Sequence, residues 1–213
     1  MRVALLTATS INGIITGERG RDAHELAGFL GVPREVMEHK AALRRRYGAV
    51  LVGTETVRIV DPTLTSHAVS GERCVRATLD RTGRLPRDAR FFDGSARTLV
   101  GVCEETPPDY LEFLARRGVE AVPAGRDRID LAAFLEGLAG RGIDSVVCEG
   151  GGELNRSLLA AGLVERIHLL LLPAVLDAGA VNLFEGPGSP VKLRLEGVER
   201  TGGFLWVDYT LEP

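Results

Sequence analysis

The chain has 213 residues, 45% hydrophobic and 26% charged, with a formal net charge of −3, the balance of one folded globular domain. That charge excludes the broad basic surface needed for generic binding to nucleic acid or an anionic membrane, and no apolar run approaches the ~20 residues of a membrane span. Aromatic residues make up only 5%, so Leu, Val, Ile and Ala have to build the core.

In chain order, residues 3–8 read as a first strand rather than a secretory leader, because no small-residue cleavage site follows them. A cytoplasmic protein with a single domain over residues 1–213 is expected. A Gly-rich loop at 12–20 follows, and Asp22 suits the N-cap of a short helix ending at Gly31. Pro33 suits the first turn of a second helix that runs to about Arg46. Residues 49–52 form a buried type of strand, after which Thr54 caps a short helix broken before Pro62. Strands at 74–79 and 98–103 are followed by a helix at 107–117, closed by Gly118, and a strand at 119–122. Asp130 caps a helix with Leu131, Phe134, Leu135 and Leu138 at i, i+3, i+4 and i+7. A strand at 145–148 runs into Glu149-Gly150-Gly151-Gly152 and a helix at 153–161. Strands at 164–172, 191–200 and 204–211 complete the chain, the last two joined by Gly202-Gly203, a hairpin signal. The alternation predicts an α/β fold with a mainly parallel sheet and antiparallel strands at one edge. The stretches 81–95 and 177–190 read as loops of that same domain.

Cys74, Cys103 and Cys148 have no metal-ligand spacing and lie in or beside β-branched apolar runs, so buried free thiols and no metal site are expected. Lys40 and Lys192 are the only lysines, against 26 basic residues in total. His24 and His39 fall on helical segments and are expected to be solvated. His168, in mid-strand, is expected in the core rather than as a ligand.

The most informative segment is VVCEGGGELNRSLLAAGLV, residues 146–164. Three glycines let the backbone turn sharply and approach a ligand without Cβ interference. The helix behind them directs free N–H groups and its positive end at the loop, which suits a phosphate or pyrophosphate. The same pattern also serves as a tight strand-to-helix turn with no ligand. It is neither a G-x-G-x-x-G nor a Walker A loop. Glu149, a carboxylate at a strand's carboxyl end, stands where ligands bind in such sheets.

EGGGELNRSLLAAGLVERIHLLLLPAVL resembles the signature of the reductase domain of riboflavin biosynthesis. Three more segments agree in order and spacing: TSING for the family's SxDG, LRRRYGAVLVGTETVRIVDPTLT for its R…GxxT…D-x-P-x-L, and RATLDRTGRLPRDARFF for its strand-end Asp and following R and P. The resemblance implies a three-layer fold like that of dihydrofolate reductase, NADPH as cofactor, and a homodimer. It places Thr56 and the loop-helix residues Gly150, Gly151, Gly152, Glu153, Leu154, Asn155 and Ser157 at the cofactor, with Arg81 as candidate for its 2′-phosphate. It places Asn12, Arg44, Leu64, His67 and Glu149 at the substrate, Arg44 alone being functional within the run Arg44-Arg45-Arg46. No catalytic proton donor is identified. H-x-E and P-C-x-x-C, which zinc deaminases need, are missing, so a stand-alone reductase of a phosphoribosylamino-pyrimidine, opening ribose to ribityl, is implied.

Three positions depart from the family pattern. Asn12 replaces an acidic residue and keeps hydrogen bonding without charge. Val60 replaces an Asp, with Asp61 one position later, and His67 replaces an Arg at the phosphate end of the substrate. A neutral His is a weak anion ligand, so a weakened grip on the riboflavin precursor is expected. Two competing functions follow: the same hydride chemistry on a different pteridine, pyrimidine or secondary metabolite, and nucleotide binding without catalysis.

Overall fold

The computed structural model describes residues 1–15, 28–64, 75–176 and 190–212. The expectations for the Asp22 cap, His24, His67, Cys74 and the loop at 177–189 lie outside the described residues. In chain order the elements are β1 (Arg2–Ser10), α1 (Arg34–Arg44), β2 (Ala49–Leu51), α2 (Thr54–Val60), β3 (Val75–Leu79), β4 (Arg97–Val102), α3 (Pro108–Arg116), β5 (Glu120–Pro123), α4 (Leu131–Ala139), β6 (Ser145–Cys148), α5 (Gly152–Ala160), β7 (Arg166–Leu172), β8 (Leu193–Thr201) and β9 (Phe204–Leu211). The chain divides into two compact units: Met1 with Arg44–Val147, and Arg2–Leu43 with Cys148–Pro213.

In the first unit the strand order is β5-β4-β3-β2-β6, with β2, β3, β4 and β5 paired in parallel. Neighbouring residues Leu99 and Val100 are both 0% exposed, so β4 is covered on both faces, as parallel sheets require. α3 and α4 pack on β5, and α2 on β3. The expected cap of α4 is present: the Asp130 carboxylate accepts the Ala133 N–H at 3.0 Å. Gly101 permits the close packing beneath it, since a Cβ there would lie 2.8 Å from Leu79 and 2.9 Å from Phe134. The scarce aromatics concentrate here, Phe92 meeting Phe113 edge-on at 5.3 Å beside Phe91 and Tyr110. One expectation is corrected. The N-cap of α2 is Gly53, not Thr54, and the Thr54 hydroxyl donates instead to the Leu79 carbonyl at the end of β3.

In the second unit the order is β1-β7-β9-β8. β7 runs parallel to β1, β9 antiparallel to β7, and β8 antiparallel to β9, which gives the expected hairpin edge. A bulge interrupts the β8–β9 register between Leu195 and Gly197. His168 is fully buried on β7, with Nδ1 2.5 Å from the Asp208 carboxylate on β9. His39 is not solvated as expected. Its ring stacks on Trp206 with centroids 4.7 Å apart, and Nδ1 lies 3.4 Å from Glu199, so it fastens α1 to the hairpin. Among the described residues no helix is long and apolar enough to cross a membrane, and no His/Cys/Asp/Glu cluster could hold a metal.

Candidate functional site

The glycine loop follows β6 directly. Gly150 has φ +126° and Gly151 φ +89°, both unfavourable for residues with a Cβ. Gly151 is the N-cap of α5 and offers no side-chain cap. The first-turn N–H groups of α5 therefore lack a side-chain acceptor from the cap, and the helix end favours an anion. A Cβ at Gly150 would meet open space, so the loop is not shaped by close packing there.

Not every residue predicted for the cofactor faces outward. Leu154 is buried in the core, and the Ser157 hydroxyl donates to the Glu153 carbonyl one turn back at 2.8 Å. Asn155 is fully buried; its Oδ1 accepts from the Cys148 thiol at 3.5 Å, while its Nδ2 has no partner among the described residues. Burial pushes the Cys148 thiol up to about 12, so it stays protonated and inert. Cys103 is likewise a buried free thiol, raised by burial.

Glu149 retains only 5% side-chain exposure and is met by the Lys40 ammonium of α1 at 3.1 Å. Sequence reading places Glu149 but not its partner, for which the scarcity of lysine is the only hint. At the carboxyl end of β1, the Asn12 side chain is a clamp. Its Oδ1 accepts from the Ser10 hydroxyl at 2.7 Å and from Leu176 N–H at 3.0 Å, and its Nδ2 donates to the Leu176 carbonyl at 2.7 Å. Asn12 thus spends its amide on the segment after β7. An amide, donor and acceptor in one group, fits this backbone role.

In the first unit, Thr56 is half-buried on α2. Arg44, in the last turn of α1, is buried, whereas Arg45 and Arg46 are exposed. Arg81 is exposed, its guanidinium 3.4 Å from the Asp127 carbonyl. The backbone of its turn is set by Asp80, whose carboxylate accepts the N–H groups of Thr82, Arg84 and Leu85 at 3.3, 3.1 and 2.9 Å. The Thr106 hydroxyl adds a bond to the Arg81 carbonyl at 2.9 Å. Leu64 is buried with φ +55°. Val60 ends α2, and Asp61 behind it is a left-handed C-cap whose carboxylate accepts the Arg90 N–H at 2.7 Å.

A 2,5-diamino-6-ribosylamino-4(3H)-pyrimidinone 5′-phosphate reductase of Methanothermobacter thermautotrophicus is 34% identical over 99% of this chain and 98% of its own length. A protein of the same name from Aquifex aeolicus is 28% identical over 90% of this chain and 85% of its own. Among solved structures, RibD of Acinetobacter baumannii superposes with a TM-score of 0.81 over 100% of this chain at 21% identity, this chain spanning 58% of that one. The profile of the RibD C-terminal domain matches residues 2–206, glycine loop included, and the chain belongs to that family.

Proposed function

We propose that the chain is an NADPH-dependent oxidoreductase of riboflavin biosynthesis that reduces a 2,5-diamino-6-ribosylamino-pyrimidinone 5′-phosphate at its ribose carbon, opening the sugar to ribityl. The observation that carries this reading is the end-to-end likeness to the Methanothermobacter reductase. The glycine loop fits the cofactor: two positive-φ glycines, open space beside Gly150 and an uncapped helix end suit a pyrophosphate. NADPH, when bound, supplies the hydride.

The protein's share is orientation and charge. Gly150 and Gly151 would let the backbone approach a pyrophosphate, and the first-turn N–H groups of α5 would donate to it. Within the first unit, Thr56 and Arg81 are the residues the family likeness assigns to the cofactor; Arg81, on a turn held by Asp80, would take its 2′-phosphate. On the substrate side Arg44 offers a guanidinium and Leu64 an apolar contact. Glu149, paired with the Lys40 ammonium at 3.1 Å, offers an acceptor to amino or hydroxyl groups. The working form is a cytoplasmic homodimer with no nucleic-acid or membrane partner. The dimer has its support in the exposed Leu195 and Val198 of β8, which continue the rows of Tyr209 and Val207 on β9.

NADPH consumption with the diaminopyrimidinone phosphate, and mass spectrometry of the product, test the activity. A ribityl product formed faster than from the deaminated uracil analogue is expected, and no turnover of either overturns the reading. Arg81→Ala should bring NADPH and NADH affinities closer together. An unchanged preference removes Arg81 from its role.

A further inference from the structure

Arg76 heads the large side chains that are fully buried among the described residues. It is the second residue of β3, where a covered parallel sheet ordinarily carries Val, Ile or Leu. A buried guanidinium has to be paired and hydrogen-bonded, and this one is. Nε donates to the Thr98 hydroxyl at 2.9 Å, Nη2 to the Asp93 carboxylate at 2.8 Å, and the cation lies 5.2 Å from the centre of the Phe91 ring. Its remaining bond is Nη1 to the carbonyl of Thr63 at 2.6 Å.

Thr63 immediately precedes Leu64. Asp61 and Leu64, at φ +44° and +55°, are the non-glycine residues with positive φ among the described residues. Such a conformation is unfavourable for a side chain with a Cβ and persists only where its surroundings enforce it. Here the segment is tied at both ends: the Asp61 carboxylate to Arg90 N–H, and the Thr63 carbonyl to Arg76. Arg90 opens the short turn that leads into Asp93, so one polar assembly holds both ties.

We propose that Arg76 is a positioning residue for substrate binding, holding Leu64 in its left-handed conformation through the Thr63 carbonyl. This rests on the reading that Leu64 meets the pyrimidine. Lysine cannot replace the fork, because one ammonium on a flexible stem does not reach Thr98, Asp93 and Thr63 in the same plane.

Arg76→Lys, Arg76→Met and Asp93→Asn test it, with kcat, KM, NADPH affinity and hydrogen exchange of the amides at 61–64 measured for each. The expected result is faster exchange at 61–64 and a KM for the pyrimidine raised about tenfold in Arg76→Lys, with NADPH affinity unchanged. Asp93→Asn should shift both readouts the same way by less, and it decides the matter if the Arg76 variants do not fold. Unchanged exchange in a folded variant overturns the proposal, and so does faster exchange with an unchanged KM. Should the wild type not turn over the pyrimidine, the functional reading fails by itself, and the exchange measurement still decides whether Arg76 holds the segment.

Discussion

Single side chains in this protein do their work through pairing, and two pairs allow quantitative expectations. The Asn12 clamp needs a donor and an acceptor in one group, since it meets both the N–H and the carbonyl of Leu176. Asn12→Asp turns the donor into a carboxylate oxygen facing that carbonyl. At an exposed site this should cost about 0.5–1.5 kcal/mol at pH 7. Protonation restores a donor, so the variant's carboxyl should titrate above the ~3.9 of a free Asp. Stability relative to wild type is then recovered below that pH and lost as pH rises through the folded-state value. Thermal melts of both proteins from pH 3 to 8 check this, and a deficit independent of pH would contradict it. Lys40→Met removes the ammonium 3.1 Å from Glu149, a side chain at 5% exposure. Removing one partner of a fully buried pair costs ~3–5 kcal/mol. Lys40 is 35% exposed, so solvent screening reduces the expectation to about 1–3 kcal/mol. Chemical denaturation measures it, and a loss under ~0.5 kcal/mol would place Glu149 in contact with water or another partner.

At the scale of elements, the junction of β6 and α5 carries the cofactor reading. Gly151→Val places a β-branched side chain at φ +89°, ψ +120° on the N-cap, where the phosphate oxygens of the proposed cofactor would approach. NADPH affinity should fall at least tenfold, ~1.4 kcal/mol, and a titration showing unchanged affinity in a folded variant refutes the assignment. The turn after Arg90 gives a pH expectation. Burial raises the Asp93 carboxyl, but hydrogen bonds from Ser95 and Arg76 outweigh it and hold the group at about 2, against 3.8 unpaired. A depressed carboxyl stabilises above its unfolded value and loses that contribution as pH falls through the folded one. The turn and the segment tied to it should therefore loosen between about pH 4 and 2, and Asp93→Asn should flatten that dependence in acid melts. These elements also show what a sequence makes legible. The Asp130 cap, the hairpin at Gly202 and the glycine loop are local, each carried by neighbouring residues, and reading and structure coincide there. Thr54 and His39 are misread because their partners, Leu79 and Trp206, come from other strands. Arg76 gives no local signal at all, since an Arg within a β-rich run is indistinguishable from a solvated one until Thr63, Thr98 and Asp93 fold around it.

For the whole molecule, the homodimer proposed above is to be tested on one face of the C-terminal strands. Cross-strand rows Ile167/Tyr209/Leu195 and Leu169/Val207/Val198 lie on one face of β7, β9 and β8, the next row ending in Leu205 and Arg200. Without the bulge after Leu195, alternation would turn Val198 to the opposite face; the extra residue returns it to the apolar one. Leu195 and Val198 remain 55% and 58% exposed. A contiguous apolar face of this kind is an association surface, and an edge strand such as β8 needs cover. A second copy fits it best, because a two-fold axis lets the same rows meet themselves, sheet on sheet at ~10 Å. Light scattering should give twice the 22.9 kDa of one chain at micromolar concentration. Val198→Glu would bury an unpaired carboxylate in that interface, a cost of several kcal/mol, and should yield monomers that keep the fold, since the side chain is free to face water in the single chain. A wild-type chain that stays monomeric at those concentrations, or a Val198→Glu variant that stays dimeric, would show that this face is not the contact.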